Sequence, residues 1–207
     1  MLSTRVDFIF AAHKLAKFSS DPGKVHFEEL VYLLIYIRYN KTLVLKYYVD
    51  MKDAPLFDLL RQANINTENQ LMYFSDSNWQ DYPDTSRSTG EYIIFYQGGP
   101  IDHGTHVPGP VPQSSAESGY NAACNAGIYL LCFRMLIHEL LNKDPYTVSE
   151  EDPLTIWNSK SVVCMAKNGK ATKHTIHISR RVYLVRNGEK FKIHKIDWYE
   201  AKMGITG

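Results

Sequence analysis

The stretch YFSDSNWQDYPDTSRSTGEYIIFYQGGPI, Tyr73 to Ile101, carries the pattern from which the fold is read. A short apolar run, Leu71 to Ser75, stops at Asp76 and gives way to a polar, turn-rich segment through Asp84 and Arg87. Glu91 to Tyr96 is rich in aromatic and β-branched residues and is broken by Gly98-Gly99-Pro100, so two antiparallel strands are expected there. Downstream, Pro108, Pro110 and Pro112 exclude regular structure between His106 and Gln113. Ser114 or Ser115 then offers an N-cap to Ala116–Leu141, a long helical stretch dense in Ala, Leu, Ile and Met, ended by Asn142 and Pro145. Leu154 to Trp157 reads as a buried strand and Ser161 to Lys167 as a short helix closed by Asn168-Gly169. Lys173 to Arg186 reads as a helix closed by Asn187-Gly188, and Phe191 to Tyr199 as a last strand. This order of elements predicts an α/β domain, a mixed sheet with helices on its faces.

Upstream the signals are helical. Asp7 to Phe18 has helical character. A second helix is marked by Asp21 as cap, Pro22 in the first turn, and an apolar stripe of Phe27, Leu30, Val31 and Leu34. Leu43 to Val49 reads as a strand. Asp50 to Gln70 holds only a short amphipathic piece around Leu56 to Leu60, which places a linker at 51–70 between an N-terminal unit, 1–50, and the main domain, 71–200, with 201–207 as a tail.

Composition narrows the class. In 207 residues, 44% apolar side chains are enough for one good-sized core. The net charge of +1 conceals segregation, because from Lys160 to Lys195 there are ten Lys and Arg against the single acid Glu189, a local +9. That segment is a plausible phosphate footprint, with a solvated basic helix face as the bland alternative. Cys124, Cys132 and Cys164 form no CxxC pair, which argues against a disulfide framework or a thiolate zinc knuckle and fits a reducing compartment. The longest greasy run, Leu30 to Ile37, is too short to span a bilayer, and the N-terminus lacks a secretory pattern, so an intracellular protein without a membrane partner is expected. His103 with His106, and His174 with His177, lack further ligands at metal spacing and read as loop and helix-face residues. Trp79, Trp157 and Trp198 read as core. No GxGxxG or GxxxxGK[ST] follows a strand, which disfavours an unrelated nucleotide-binding protein.

Four motifs, in order, resemble the ribonuclease H domain of copia-type (Pseudoviridae) retrotransposon Pol polyproteins. The Tyr73–Ile101 stretch is similar to its opening. QSSAESGYNAA (Gln113–Ala123) resembles the start of its long helix. IWNSKSVVCMAKN (Ile156–Asn168) is similar to the segment carrying its third carboxylate, and TKHTIHISRRVYLVR (Thr172–Arg186) to a later helix. Upstream, Ser3 to Tyr48 resembles the end of that family's reverse transcriptase, so the resemblance covers nearly the whole chain. It implies a ribonuclease H-like mixed five-stranded sheet with flanking helices, preceded by a small helical reverse-transcriptase tail. The carboxylate motif of the polymerase has no counterpart here, which excludes DNA synthesis by this chain alone on this reading.

The chemistry that the resemblance implies is hydrolysis of the RNA strand of an RNA:DNA hybrid by two Mg²⁺ or Mn²⁺ ions. Such ions need several anionic oxygen ligands to offset their charge. By the resemblance, Asp76 and Glu117 match two of those catalytic and metal-binding positions. The third falls on Asn158, whose amide oxygen brings no charge, and a fourth on Ser179. Read alone, Asp76 is a turn residue and Glu117 a helix-start capping partner. Lys160, Lys173, Arg180, Arg181 and Arg186 are the candidate nucleic-acid contacts. Two readings stay open: a ribonuclease H-like enzyme weakened by loss of two carboxylates, and a binding or relic module that keeps the fold without catalysis. The partners expected are an RNA:DNA hybrid or other nucleic acid and the remainder of a Pol polyprotein. The compartment expected is the cytoplasm, a virus-like particle or the nucleus.

Overall fold

A computed structural model describes residues 5–65, 71–81, 85–107, 109, 111–144, 154–157, 160–167, 179–190 and 195–198. The N-terminal part holds helices α1 (Ile9–Ala16), α2 (Lys24–Tyr39) and α3 (Pro55–Gln62). The sheet and its helices follow as β1 (Leu71–Asn78), β2 (Thr89–Tyr96), β3 (Gly99–His106), α4 (Ser115–Leu140), β4 (Leu154–Trp157), α5 (Lys160–Lys167), α6 (Ser179–Lys190) and β5 (Lys195–Trp198). The five strands are ordered β3-β2-β1-β4-β5; β1, β2 and β3 run antiparallel in turn, while β4 is parallel to β1 and β5 to β4. This is the ribonuclease H-like mixed sheet expected from the motifs.

Alternation along β1 sorts its side chains between two cores. Tyr73 points to α4, where its hydroxyl donates to the Ala122 and Ala123 carbonyls at 3.4 Å, and it joins Tyr120, Leu130, Val162, Val185 and Ile196 in one cluster. Met72 and Phe74 point the other way, into a second cluster with Met51, Leu56, Leu60 and Ile65. The stretch read as a linker therefore contributes four residues to a core. Its amphipathic signal was short because α3 is only eight residues long and is held by the sheet rather than by its own propensity.

Several other elements differ from the sequence reading. The hairpin turn sits at Gln97-Gly98, with φ of 52° and 73°, a turn with both central residues left-handed as tight hairpins favour. Gly99 and Pro100 open β3. A proline is tolerated there because β3 is an edge strand, and Ile101 is the extra residue of a bulge. His103 and His106 thus lie on a strand and not in a loop. Leu43–Val49 forms no strand. Instead Tyr47 lies against Gly99, where a Cβ would come within 2.6 Å of its ring. The α2 helix begins at Lys24 with Gly23 as its cap, two residues beyond Asp21, and the Gly23 amide donates to His26 Nδ1 at 3.0 Å. The α6 helix runs through Asn187-Gly188 to Lys190. Trp79 is 43% exposed, its indole donating to the Pro112 carbonyl at 3.3 Å, and is not core. His174 and His177 lie outside the described residues.

Candidate functional site

The sheet brings Asp76 and Glu117 to one end of the molecule. Asp76 is the sixth residue of β1. Glu117 lies in the first turn of α4, whose Gly119 packs so close to the strand that a Cβ there would meet Ser77 Oγ at 3.6 Å and Val162 Cγ2 at 2.9 Å. The last residue of β4, Trp157, pairs with Ser75, next to Asp76 in the strand. Asn158 and Lys173 lie outside the described residues. Ser179 and Arg180 open α6, and Lys160 opens α5.

Local chemistry fixes the two carboxylates differently. Ser114 caps α4, its Oγ accepting from the Glu117 amide at 3.1 Å, while Glu117 Oε2 accepts from the Gln113 amide at 2.7 Å. The second bond reaches one residue beyond a capping box, to the amide before the cap, and turns the buried Glu117 carboxylate back onto its own helix start. Asp76 is on the Phe74 side of β1, facing away from α4, and accepts from the Ser77 amide at 2.7 Å.

Asp76 has a neighbour that the sequence reading missed. In the β1–β2 register Asp76 pairs directly with Glu91, so the two carboxylates share a face. Burial, then the charges of Asp76 and Asp81, push the Glu91 carboxyl up to about 7, opposed by Lys14. The signal was present only as a cross-strand register, which a single strand pattern does not reveal. Above the pair lies a cavity of about 520 Å³, roofed by Val6, Ile9 and Phe10 and floored by Asp76, Glu91 and His103. The N-terminal helix is tied across this region: Lys14 Nζ pairs with Asp81 Oδ1, Lys17 Nζ stands 3.6 Å from Asp81 Oδ2, and Thr89 Oγ1 donates to Asp81 at 2.6 Å.

Two-metal hydrolysis would need these acids to point at one place. Among the described residues, no three His, Cys, Asp or Glu side chains are grouped so as to hold a metal ion. With Asp76 turned toward α1 and Glu117 bound into its cap, these two carboxylates do not converge on a two-ion centre.

Of the basic candidates, Arg181 is engaged internally. Its Nη1 donates to Oδ1 of Asn121, a buried residue of α4, and its carbonyl accepts from Cys124 Sγ at 3.5 Å. Burial pushes the Cys124 thiol up to about 11, against the nearby Arg181 charge. The Arg186 guanidinium lies over the Tyr183 ring at 5.8 Å, and Lys167 and Lys190 are exposed. No helix among the described residues is long and apolar enough to cross a membrane.

No family profile matches the chain. It is 24% identical over 204 residues to the retrovirus-related Pol polyprotein from transposon TNT 1-94 of Nicotiana tabacum, a match covering 97% of this chain and 14% of that protein. It is 27% identical over 126 residues to secreted RxLR effector protein 161 of Plasmopara viticola, covering 61% of this chain and 78% of the relative. Among solved structures, it is similar to a ribonuclease H in complex with an RNA/DNA hybrid (TM-score 0.46, 9% identity, 65% of this chain and 88% of that one). It is also similar to the N-terminal ribonuclease H domain of a Mycobacterium tuberculosis protein solved as a fusion with maltose-binding protein (TM-score 0.44, 10% identity, 64% and 83%). The chain is thus similar, over nearly all of its own length, to about one seventh of a retrotransposon Pol polyprotein, in keeping with the copia-type resemblance of its motifs.

Proposed function

We propose that the chain is a retrotransposon-derived, ribonuclease H-like unit in which cleavage of the RNA strand of RNA:DNA hybrids is impaired. The observation that carries this reading is the disposition of the two retained carboxylates. Asp76 and Glu117 reach the same end of the sheet on β1 and α4 but face apart, and the other two aligned positions hold the uncharged Asn158 and Ser179. Removing bridging carboxylates takes away both the charge and the geometry that a pair of divalent ions demands. In the relatives' setting the unit would work beside the remainder of a Pol polyprotein.

Cleavage of a labelled RNA:DNA hybrid in Mg²⁺ and in Mn²⁺ tests this. The native chain is expected to show little or no cutting, and, because Asp76 and Glu117 face apart, Asn158→Asp with Ser179→Asp is expected not to restore it. Robust cutting by the native chain that Asp76→Asn abolishes would overturn the impairment. Cutting by the Asn158→Asp, Ser179→Asp chain would show that the missing charge, and not the facing of Asp76, is the impediment.

A second reading, binding without catalysis, is favoured by the concentration of positive charge from Lys160 to Lys195, of which Lys167 and Lys190 lie exposed on α5 and α6. Hybrid affinity should then fall steeply with salt, and substitution of Lys167 and Lys190 by Ala should flatten the slope by about one for each phosphate no longer neutralised. A salt-independent affinity would rule this reading out.

A further inference from the structure

The cavity between α1 and the sheet is bounded by two unlike surfaces. Its roof is apolar, made by Val6, Ile9 and Phe10. Its floor is the face of the sheet turned away from α4. There the register sets Asp76 of β1 against Glu91 of β2 and places His103 of β3, the partner of Ile93, diagonally next to Glu91. Phe10 and Asn78, which also line the cavity, are exposed, so it opens to solvent on one side.

The floor holds polar atoms that the protein itself leaves unmet. Glu91 Oε1 and both ring nitrogens of His103 are shielded from solvent and have no hydrogen-bond partner among the described residues. Such atoms are costly in a folded protein and are ordinarily satisfied by water or by a ligand. Charge is unmet as well. Arg5 pairs with Asp7, and Lys14 and Lys17 pair with Asp81, so the Lys and Arg of the α1 segment are committed to acids other than Asp76 and Glu91.

The volume, about 520 Å³, is that of a small-molecule site and far exceeds what one or two bridging waters fill. A guest that suits both surfaces carries a cationic hydrogen-bond donor at one end and an apolar body at the other. An ammonium group brings three donors, enough for two carboxylates and one ring nitrogen of a neutral imidazole. A bare metal ion would gain nothing from the roof, and among the described residues no three such side chains are grouped to hold one.

We propose that this cavity is a binding site for a small amphipathic amine, its ammonium group held by Glu91, His103 and Asp76 and its apolar body lodged under Val6, Ile9 and Phe10. The site does not depend on whether the chain cleaves a hybrid, and its test reads binding alone.

Isothermal titration calorimetry of the full chain with phenethylamine tests this. Saturable one-to-one binding is expected, with phenethyl alcohol, which has the same body without the charge, and methylammonium, which has the charge without the body, each at least about tenfold weaker. Glu91→Gln, which keeps the size of the side chain and removes its charge, should weaken phenethylamine by about tenfold. Ile9→Trp should abolish binding by filling the space beneath the roof, with far-ultraviolet circular dichroism reporting that the chain is folded; if it is not, Glu91→Gln decides alone. Three results would overturn the proposal: no binding of phenethylamine by the folded chain, equal binding of the amine and the alcohol, or an affinity that Glu91→Gln leaves unchanged.

Discussion

The two faces of the sheet are covered in different ways. Toward α4 there is one continuous cover: a single 26-residue helix, backed by α5 and α6, closes over Tyr73 and Ile94. The opposite face is covered in two pieces that come from earlier in the chain. The short α3 seals Met72 and Phe74, and α1 roofs Asp76 and Glu91 across a cavity. The difference teaches where each kind of residue could be placed. The face closed by one long helix is a packing face, and the face assembled from two short ones is where the strand's alternation leaves its acids.

Leu60 decides whether the second cover is truly core. Leu60→Ala should cost about 2–5 kcal/mol in urea unfolding, as much as Leu130→Ala on the α4 face, because both side chains are fully buried. A Leu60 variant close to native stability would reduce α3 to an appendage. Next in size is the attachment of α6 to α4. Arg181→Ala strands the Asn121 carbonyl and should cost about 1–3 kcal/mol while leaving the salt dependence of hybrid binding unaltered. If instead the slope flattens and stability holds, Arg181 contacts phosphate.

The smallest effect concerns how α1 is held. Burial pushes the Asp81 carboxyl up, but hydrogen bonds from Lys14 and Thr89 and the charges of Lys14 and Lys17 outweigh it and hold the group below its ordinary range. A depressed carboxylate contributes its stability above the unfolded value near 4 and loses it as pH falls through the folded one. Protection of the α1 amides in hydrogen exchange should therefore be full at neutral pH and decline in acid, by about 0.5–1 kcal/mol at most, and Asp81→Asn should remove the pH dependence. A profile indifferent to both pH and substitution would mean that α1 is held by its apolar contacts alone.

Wherever a local pattern suffices, the sequence was legible. The Ser114 cap and α4, the Glu91–Tyr96 strand, and Leu154–Trp157 emerge with nearly the bounds read from them, since caps, turns and apolar runs act within a few residues. What failed depends on distant partners. Leu43–Val49 has strand composition but pairs with no strand, Tyr47 lying instead against Gly99 of β3, and Pro100 looked like a terminator because its tolerance depends on β3 being an edge strand. The candidate site was legible as residue types and order. That Asp76 meets Glu91, and that Glu117 bends into its own cap, depend on register and on a loop geometry that no linear motif encodes.

The two outer margins of the sheet have a bearing on solubility. One carries Pro100, which withholds an amide, and the kink at Ile101; the other is β5, Lys195–Trp198. At the β3 edge the described residues present no long, flat row of amides on which a further strand could template, so growth of the sheet from chain to chain is discouraged there.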